Sequence, residues 1–392
     1  MSRLRGFWRR LPESVRTALK LYAVGRVVFW AWGGIVVTLL PLPPLAPQYD
    51  PLVKAPPGFF EWVMEPWDRW DVIWYNRIAV QGYAIADGRA AFAPLFPLLV
   101  GLLGRMLGGQ FMIASFIVSD LACIGSLILL HQLAQREGYS GMRTLMTLLL
   151  FPFAFFLFIP YTESTLLFFT LLTFSSARAD RWRLAALFGA LAVLTKVTAL
   201  TLLAPLAWEL WERRGGGASR RAAWLTALPL AWVGWVFVRE AAAGRLVDVN
   251  LSALFLSPDF QKVWSNDVTS LPWDSLIASV TAPFRLWPHP YVLTAMIDLL
   301  ILFAVIDLMV RAFRSMRRSY SLYALGMFLL SLIKVVVVVP LQDAPRRWMM
   351  AFPLFFARDD SRLRGWKRLA LYGAVLLQAL VSALFVKWLV IG

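Results

Sequence analysis

The stretch Glu65-Pro-Trp-Asp-Arg-Trp-Asp-Val-Ile-Trp-Tyr-Asn-Arg-Ile-Ala-Val-Gln-Gly-Tyr83 follows the first hydrophobic segment of a chain that is otherwise mostly apolar. It places three carboxylates, those of Glu65, Asp68 and Asp71, among tryptophan and tyrosine side chains. Indole and phenol rings favour the headgroup depth of a bilayer, and a carboxylate held there can serve as a general base. The stretch therefore indicates chemistry on an amphiphile at a membrane surface.

The composition predicts a membrane protein. Of the 392 residues, 59% are hydrophobic and only 16% are charged, whereas soluble domains carry about 25% charged residues. Many apolar blocks are long enough to cross ~30 Å of hydrocarbon, and we predict an all-α polytopic membrane protein with about 10–12 hydrophobic segments. The predicted segments are 18–42, 92–108, 111–134, 142–160, 161–178, 184–196, 197–212, 222–241, 291–313, 320–341, 345–357 and 367–391.

The arrangement of charge predicts the topology. We expect a single membrane domain over 1–392 in the cell membrane, with long extracytoplasmic loops at 43–91 and 242–290. With a cytoplasmic N-terminus and an in-plane or re-entrant 92–108 segment, the predicted cytoplasmic pieces hold 24 of 39 Lys and Arg but 7 of 23 Asp and Glu. This asymmetry is what the positive-inside rule expects. The cytoplasmic pieces are 1–20, 135–143, 178–183, 209–221, 311–318 and 358–368.

The predicted topology gathers several polar motifs at one membrane face. The 43–91 loop, Tyr161 to Glu163, Thr195-Lys196 and the run from Asp343 to Arg347 all face the extracytoplasmic side in this arrangement. Because these motifs are far apart in the sequence, their predicted convergence indicates a site.

Asp71 and Asp68 are the first candidate catalytic residues. A helix through 67–83 would place them three residues apart on one face, and neighbouring carboxylates raise one pKa, which suits a base near neutral pH. The alternative interpretation is a solvated loop whose acidic residues cap a helix N-terminus. In the same stretch, Arg69 and Tyr75 are candidate substrate-binding residues.

Glu163 and the basic residues supply the other candidates. Glu163, next to Tyr161, interrupts a run of phenylalanine and leucine, and it is either a site residue or a charge at a helix N-terminus. Lys196, Arg346 and Arg347 are candidates for binding a lipid phosphate, for which arginine offers two parallel hydrogen bonds. The alternative is that these cations extend to the membrane interface or anchor there.

Several other classes of function are disfavoured. The net charge of +16 is explained by the positive-inside rule, and no separate basic domain indicates nucleic-acid binding. With Cys123 as the one cysteine and only His131 and His289, no intramolecular disulfide forms and we expect no metal site. No Walker-type loop, Gly-x-Ser-x-Gly or His-Glu-x-x-His motif is present, and we expect no cofactor.

Two other functions stay open for a membrane protein with this pattern of charges. A lipid or lipid-linked sugar transporter would use charges inside the membrane, and charged side chains do fall in or near apolar segments. These are Asp120, Asp298, Asp307, Arg26, Arg239 and Lys334. A glycan polymerase or ligase that uses a lipid pyrophosphate donor is the second alternative.

Four blocks of the chain together resemble one known family. The stretch from Arg69 to Tyr83 looks like the first-loop motif of the PIG-V type mannosyltransferases, which add the second mannose of the GPI anchor in eukaryotes and have bacterial relatives. Three later blocks resemble the family's other motifs in the same order, although Phe151 stands in place of Asn and Thr162 in place of Ser. These blocks are Ala93-Pro-Leu-Phe-Pro-Leu98, Phe151 to Leu166, and Arg347-Trp-Met-Met-Ala-Phe-Pro353.

The resemblance implies a fold, a reaction and roles for residues. It implies a GT-C glycosyltransferase fold with an extracytoplasmic active site, a polyprenyl-phosphate sugar donor, mannose transfer with inversion, and a lipid-linked or glycan acceptor. Asp71 matches the acidic residue that serves as the family's general base, whereas Asp68 has no clear match. In the mechanism that follows, Arg346 or Arg347, together with Lys196, neutralises the leaving phosphate, and Glu163 with Tyr161 orients a sugar hydroxyl.

Overall fold

The structure is a computed structural model that describes residues 2–41, 51–83, 88–213, 218–242, 267–289, 291–336, 339–356 and 364–389. Parts of both predicted loops, 42–50, 84–87 and 243–266, lie outside the described residues. The aromatic residues Phe260 and Trp264 of the second predicted loop are among them. The predicted sidedness of the loops stays a prediction.

The described chain is almost entirely helical. In chain order the helices are α1 (Ser2–Arg10), α2 (Glu13–Leu39), α3 (Phe59–Met64), α4 (Asp71–Gln81), α5 (Leu95–Met106), α6 (Phe111–Arg136), α7 (Gly141–Leu149), α8 (Thr162–Arg178), α9 (Trp182–Thr195), α10 (Leu203–Glu212), α11 (Ala218–Leu225), α12 (Ala227–Ala242), α13 (Pro272–Leu286), α14 (Tyr291–Ser315), α15 (Arg318–Ile333), α16 (Ala344–Met349) and α17 (Arg364–Val386). Short 3₁₀ helices cover Glu65–Trp67, Arg89–Ala91, Ala154–Leu157, Val197–Leu202 and Phe352–Phe355.

The helix lengths and apolar compositions confirm an all-α, multi-pass membrane protein. Among the described residues, five helical segments are long and apolar enough to cross a bilayer: Glu13–Leu39, Phe111–Arg136, Ser219–Ala242, Tyr291–Ser315 and Leu369–Val386. Helix α5 has 12 residues and is therefore about 18 Å long, shorter than the ~30 Å hydrocarbon core. That length fits the predicted in-plane or re-entrant placement of 92–108.

Two predicted hydrophobic segments are buried but are not continuous helices. Segment 142–160 divides into α7 and the 3₁₀ helix Ala154–Leu157, and segment 345–357 divides into α16 and the 3₁₀ helix Phe352–Phe355. Pro152 lies at the first interruption, where proline cannot donate a backbone hydrogen bond, and Pro353 is the second residue of the 3₁₀ helix Phe352–Phe355. Most apolar side chains of the two segments are buried, although Met142 and Met146 are exposed. High hydrophobicity here therefore reflects burial in the protein rather than a continuous membrane span.

The first loop is held to α2 by close packing of tryptophan against glycine. Trp67 is fully buried, and a Cβ atom at Gly33 would lie 2.7 Å from its Nε1 atom. A Cβ at Gly34 would similarly lie 2.2 Å from the ring of Trp62. Only glycine leaves this space, so the Gly33-Gly34 pair fixes the loop that carries Asp71 on the first span.

The tryptophans of the opening stretch lie inside the protein. Trp67, Trp70 and Trp74 are between 0% and 8% exposed, so they contact other side chains rather than lipid headgroups, and the bilayer depth predicted for them stays a prediction. Trp70 packs against Trp388 with ring centroids 4.8 Å apart. These rings hold the first loop against the C-terminal helix α17.

The interval predicted as the second loop contains regular structure. Asp267–Thr269 (β1) pairs antiparallel with Lys334–Val336 (β2), and α13 follows directly. Helix α13 packs against α14 and α15, with Ser275 and Ser279 buried on its inner face. Its outer face exposes Trp273 and Phe284, an apolar surface that a loop in water would not present.

Candidate active site

The backbone before Asp71 is strained. Trp70 has φ 54° and ψ −118°, a conformation that costs free energy for a bulky L-residue and that clusters at functional sites. Because of this turn, α4 begins at Asp71, and the predicted continuous helix over 67–83 is wrong. Asp68 and Asp71 therefore do not share a helix face.

Arg346 lies at the centre of a group of carboxylates. Its Nη1 donates a hydrogen bond of 3.1 Å to Oδ2 of Asp71, and its Nη2 lies 3.4 Å from Oδ1 of Asp343. Its Nε lies 3.3 Å from Oε1 of Glu163, at an angle that makes an ion pair without a hydrogen bond. The guanidinium is 5.3 Å from the ring centroids of both Phe156 and Tyr161. Its position is therefore fixed from several directions.

Glu163 joins the two cations of the cluster. Its Oε1 accepts a hydrogen bond of 2.8 Å from Nζ of Lys196 and also faces Arg346. Pro160 precedes the extended Tyr161, after which α8 begins at Thr162 and places Glu163 in its first turn. Helix α9 ends at Thr195, and the extended backbone of Lys196 (φ −161°, ψ 129°) directs this residue into the same site.

Two tyrosines connect α4 to the start of α8. The Tyr161 hydroxyl accepts from the backbone N–H of Asp71 at 3.2 Å and donates to the carbonyl of Arg69 at 3.4 Å. The Tyr75 hydroxyl lies 3.4 Å from that of Thr162. Tyr161 and Tyr75 thus hold Asp71 in position relative to Glu163.

Exposure differs across the cluster in a way that indicates where a substrate could enter. Glu163 is fully buried and the Arg346 side chain is 6% exposed, whereas the side chains of Asp71 and Lys196 are 15% and 20% exposed. Burial raises the pKa of the Asp71 carboxyl, and the charges of Arg346 and Lys196 act in the opposite direction. Asp71 is thus an accessible carboxylate with a raised pKa beside two cations, a combination suited to a base.

Sequence and structure comparisons give little further identification. No family model and no curated protein matches this chain. The structure matches the crystal structure of ArnT from Cupriavidus metallidurans bound to undecaprenyl phosphate, with a TM-score of 0.49 and 15% sequence identity. The match covers 91% of this chain and 63% of that chain, so this chain spans less than two thirds of the length of the protein it matches.

The structure brings together six of the predicted site residues. These are Asp71, Tyr75, Tyr161, Glu163, Lys196 and Arg346. Arg347 lies at the edge of the cluster, where it forms a short ion pair with Asp343. Its side chain is 12% exposed.

Asp68 and Arg69 have other surroundings. Burial raises the pKa of the Asp68 carboxyl to about 7, and Oδ1 accepts a 3.5 Å hydrogen bond from Asn76. Arg69 donates to the carbonyls of Glu65, Asp68 and Val386. Through these contacts Arg69 connects the first loop to the end of α17. Its role in substrate binding stays a prediction.

Asp343 is a member of the cluster that was not among the predicted site residues. It contacts both Arg346 and Arg347 and so holds two cations of the site. The sequence does carry a signal, since Asp343 precedes the arginines by three and four residues, the spacing of helical ion pairs. Within the described residues, no three His, Cys, Asp or Glu side chains are grouped as metal ligands; the expectation of a metal-free site stays a prediction.

Proposed function

We propose that this protein is a membrane glycosyltransferase that moves a sugar from a polyprenyl-phosphate donor to a hydroxyl acceptor. The observation that carries the proposal is the contact of a partly exposed carboxylate, Asp71, with a buried arginine, Arg346, beside Lys196. Transfer from a lipid phosphate needs a base for the acceptor and cations for the leaving group. The cluster contains both within one site.

In the proposed step, the acceptor oxygen forms a bond to the anomeric carbon as the bond from that carbon to the phosphate oxygen breaks. Asp71 takes the acceptor proton, and the phosphate leaves with the bonding electron pair. Attack opposite to the leaving group inverts the anomeric configuration. Lys196 and Arg346 stabilise the charge that develops on the phosphate, since fixed cations in a site of low polarity act strongly on such charge.

The positions of Glu163 and Asp343 support a positioning role for both. Glu163 is fully buried and contacts both Lys196 and Arg346, so it orients the cations more directly than it could orient a sugar. Asp343 holds Arg346 and Arg347. Both carboxylates would keep the cations in place until the donor phosphate arrives.

Mannose and a PIG-V type reaction are the finer part of the proposal. The assignment of mannose and of a PIG-V type reaction rests on the motif resemblance from Arg69 to Pro353. The GT-C fold and the extracytoplasmic position of the site are inferred from the same resemblance. The geometry is compatible with this assignment because Asp71 and Glu163, which come from two of the matched blocks, meet at Arg346, the residue directly before the block that begins at Arg347. The acceptor would be a lipid or a glycan.

The test is a transfer assay with the purified full chain. Radiolabelled polyprenyl-phosphate-mannose and total membrane lipids are supplied, and polyprenyl-phosphate-glucose serves as the donor comparison. The complete proposal is supported if the wild type forms labelled product from the mannose donor and the Asp71→Asn variant does not. If only the glucose donor gives product, glycosyl transfer stands but the transferred sugar is glucose rather than mannose. Movement of the labelled donor across vesicles with no product in any assay would overturn glycosyl transfer in favour of transport.

A further inference from the structure

The far end of the α8–α9 hairpin carries a second cluster of charged residues. Helix α8 has 17 residues between the site and this end, which places the two about 25 Å apart. An open cleft of about 410 Å³ lies here between the start of α9 and α11. Its lining residues are Asp180, Arg181, Trp182, Arg183, Leu184, Arg220, Arg221 and Trp224.

The Asp180 carboxylate contacts several side chains in and beside this cleft. Asp180 adopts a left-handed backbone conformation with φ 59°. Its Oδ2 accepts a 3.0 Å hydrogen bond from Arg221, and Oδ1 accepts a 2.7 Å hydrogen bond from the indole of Trp182. Arg213 lies 3.5 Å from the same carboxylate. Asp180 is thus already occupied by Arg213 and Arg221.

Three arginines of the cleft have no acidic partner among the residues that the structure describes. Within the described part of the chain, Arg181, Arg183 and Arg220 form no ion pair with a carboxylate. Arg183 lies over the ring of Trp224, 5.3 Å from its centroid, which limits where its guanidinium can be. An uncompensated group of guanidinium ions at a membrane end favours an anion with several oxygen acceptors, such as a phosphate.

Apolar surface adjoins the same cleft. Leu184 lines it and is 39% exposed, and Leu187, one turn further along α9 toward Lys196, is 52% exposed. Residues three apart on a helix share a face, so the apolar surface continues from the arginines into the bilayer. A free phosphate ion would make no use of this surface, whereas the chains of a lipid would cover it.

We propose that this cleft binds the headgroup of an anionic phospholipid. Arg181, Arg183 and Arg220 bind the phosphate, and the acyl chains lie along Leu184 and Leu187. The site is separate from the candidate active site, and its occupancy does not depend on the reaction proposed there.

The test is native mass spectrometry of the full chain in detergent with equal amounts of phosphatidylglycerol and phosphatidylcholine. The wild type is expected to retain phosphatidylglycerol preferentially, and Arg181→Gln/Arg183→Gln/Arg220→Gln to lose that preference by about 10-fold or more. The matched control is Arg9→Gln/Arg10→Gln/Arg314→Gln, which removes the same charge from three exposed arginines elsewhere and should retain it.

The remaining outcomes separate the alternatives. Equal losses in the triple variant and the control, or no preference in the wild type, would overturn the site. Displacement of the lipid by inorganic phosphate at the same concentration would overturn the lipid assignment. The variant Arg181→Lys/Arg183→Lys/Arg220→Lys keeps the positive charge. If it retains phosphatidylglycerol no better than the glutamine variant does, that result would also contradict the proposal.

Discussion

Arg346 donates a 3.1 Å hydrogen bond to Asp71, although 275 positions separate the two residues in the sequence. The contact joins the first loop to the short helix α16. It places a cation next to the one partly exposed carboxylate that begins α4. The proposed base and a proposed partner of the leaving phosphate are thus neighbours before any substrate binds.

Replacing Asp71 with Asn should abolish transfer without unfolding the protein. The amide has nearly the same shape as the carboxylate but cannot take a proton, and losing a general base lowers the rate by about 100-fold to 10,000-fold. The measurement is the initial rate in the transfer assay. Asp68→Asn is the control and should keep most of the activity; equal losses in both variants would contradict the assignment of the base to Asp71.

The pH dependence of the rate should follow the ionisation of Asp71. Burial raises its pKa, so activity should fall as the pH decreases through a range above the ordinary aspartate value of about 4. The charge of Lys196 opposes this shift, and Lys196→Gln should therefore move the acid limb to higher pH. The measurement is kcat/KM as a function of pH. If the pH at which activity falls is the same in Lys196→Gln as in the wild type, the charge of Lys196 does not influence the ionisation of Asp71.

Replacing Glu163 with Gln should destabilise the fold. The substitution leaves Lys196 and Arg346 without their shared buried counterion, and removing one partner of a buried ion pair costs about 3–5 kcal/mol. Thermal unfolding in detergent measures the loss. Asp307→Asn breaks the pair with Arg311, in which both side chains are more than half exposed, and should change stability by less than about 1 kcal/mol.

Asp68 should make the protein less stable as the pH rises. Its pKa is about 7 in the folded protein and 3.8 in the ordinary state, so the folded protein binds more protons between these values. Stability therefore decreases as the pH rises from about 4 to about 7 and is level above that. Asp68→Asn should raise the melting temperature more at pH 8 than at pH 5, and an equal effect at both would contradict a buried neutral carboxyl.

A methyl group at Gly33 should loosen the first loop. The Cβ of Gly33→Ala would lie 2.7 Å from Nε1 of the fully buried Trp67, and overpacking of this kind costs about 1–3 kcal/mol. Both the melting temperature and the transfer rate should fall, because the loop carries Asp71. Gly234→Ala in α12 meets nothing within 4 Å and should leave both unchanged.

The sequence predicted the features that depend on local composition. Apolar blocks identified the membrane helices, and charge counting suggested that Asp71, Glu163, Lys196 and Arg346 share a membrane face. Direct contact among them could not be read from the sequence. It depends on the strained turn at Trp70 and on the breaks of helix that precede Thr162 and follow Thr195.

Other features could not be read from the sequence because one residue type suits two environments. Indoles such as those of Trp67 and Trp74 suit a bilayer surface, but their large rings also pack well inside the protein, where these two lie. Asp343 was placed with the converging motifs but was not singled out as a site residue, because an acid three residues before Arg346 is also common on helix surfaces. Only tertiary packing distinguishes these cases.

The balance of the Arg346 cluster has a consequence for the order of charge movement. Lys196, Arg346 and Arg347 match Asp71, Glu163 and Asp343 in number, so the formal charges of the cluster balance. In the proposed reaction, a phosphodiester donor brings one negative charge and its phosphate gains a second on leaving. Asp71 becomes neutral in the same step. The total therefore stays constant, and Arg346 keeps the carboxylates of Glu163 and Asp343 as partners when Asp71 loses its charge.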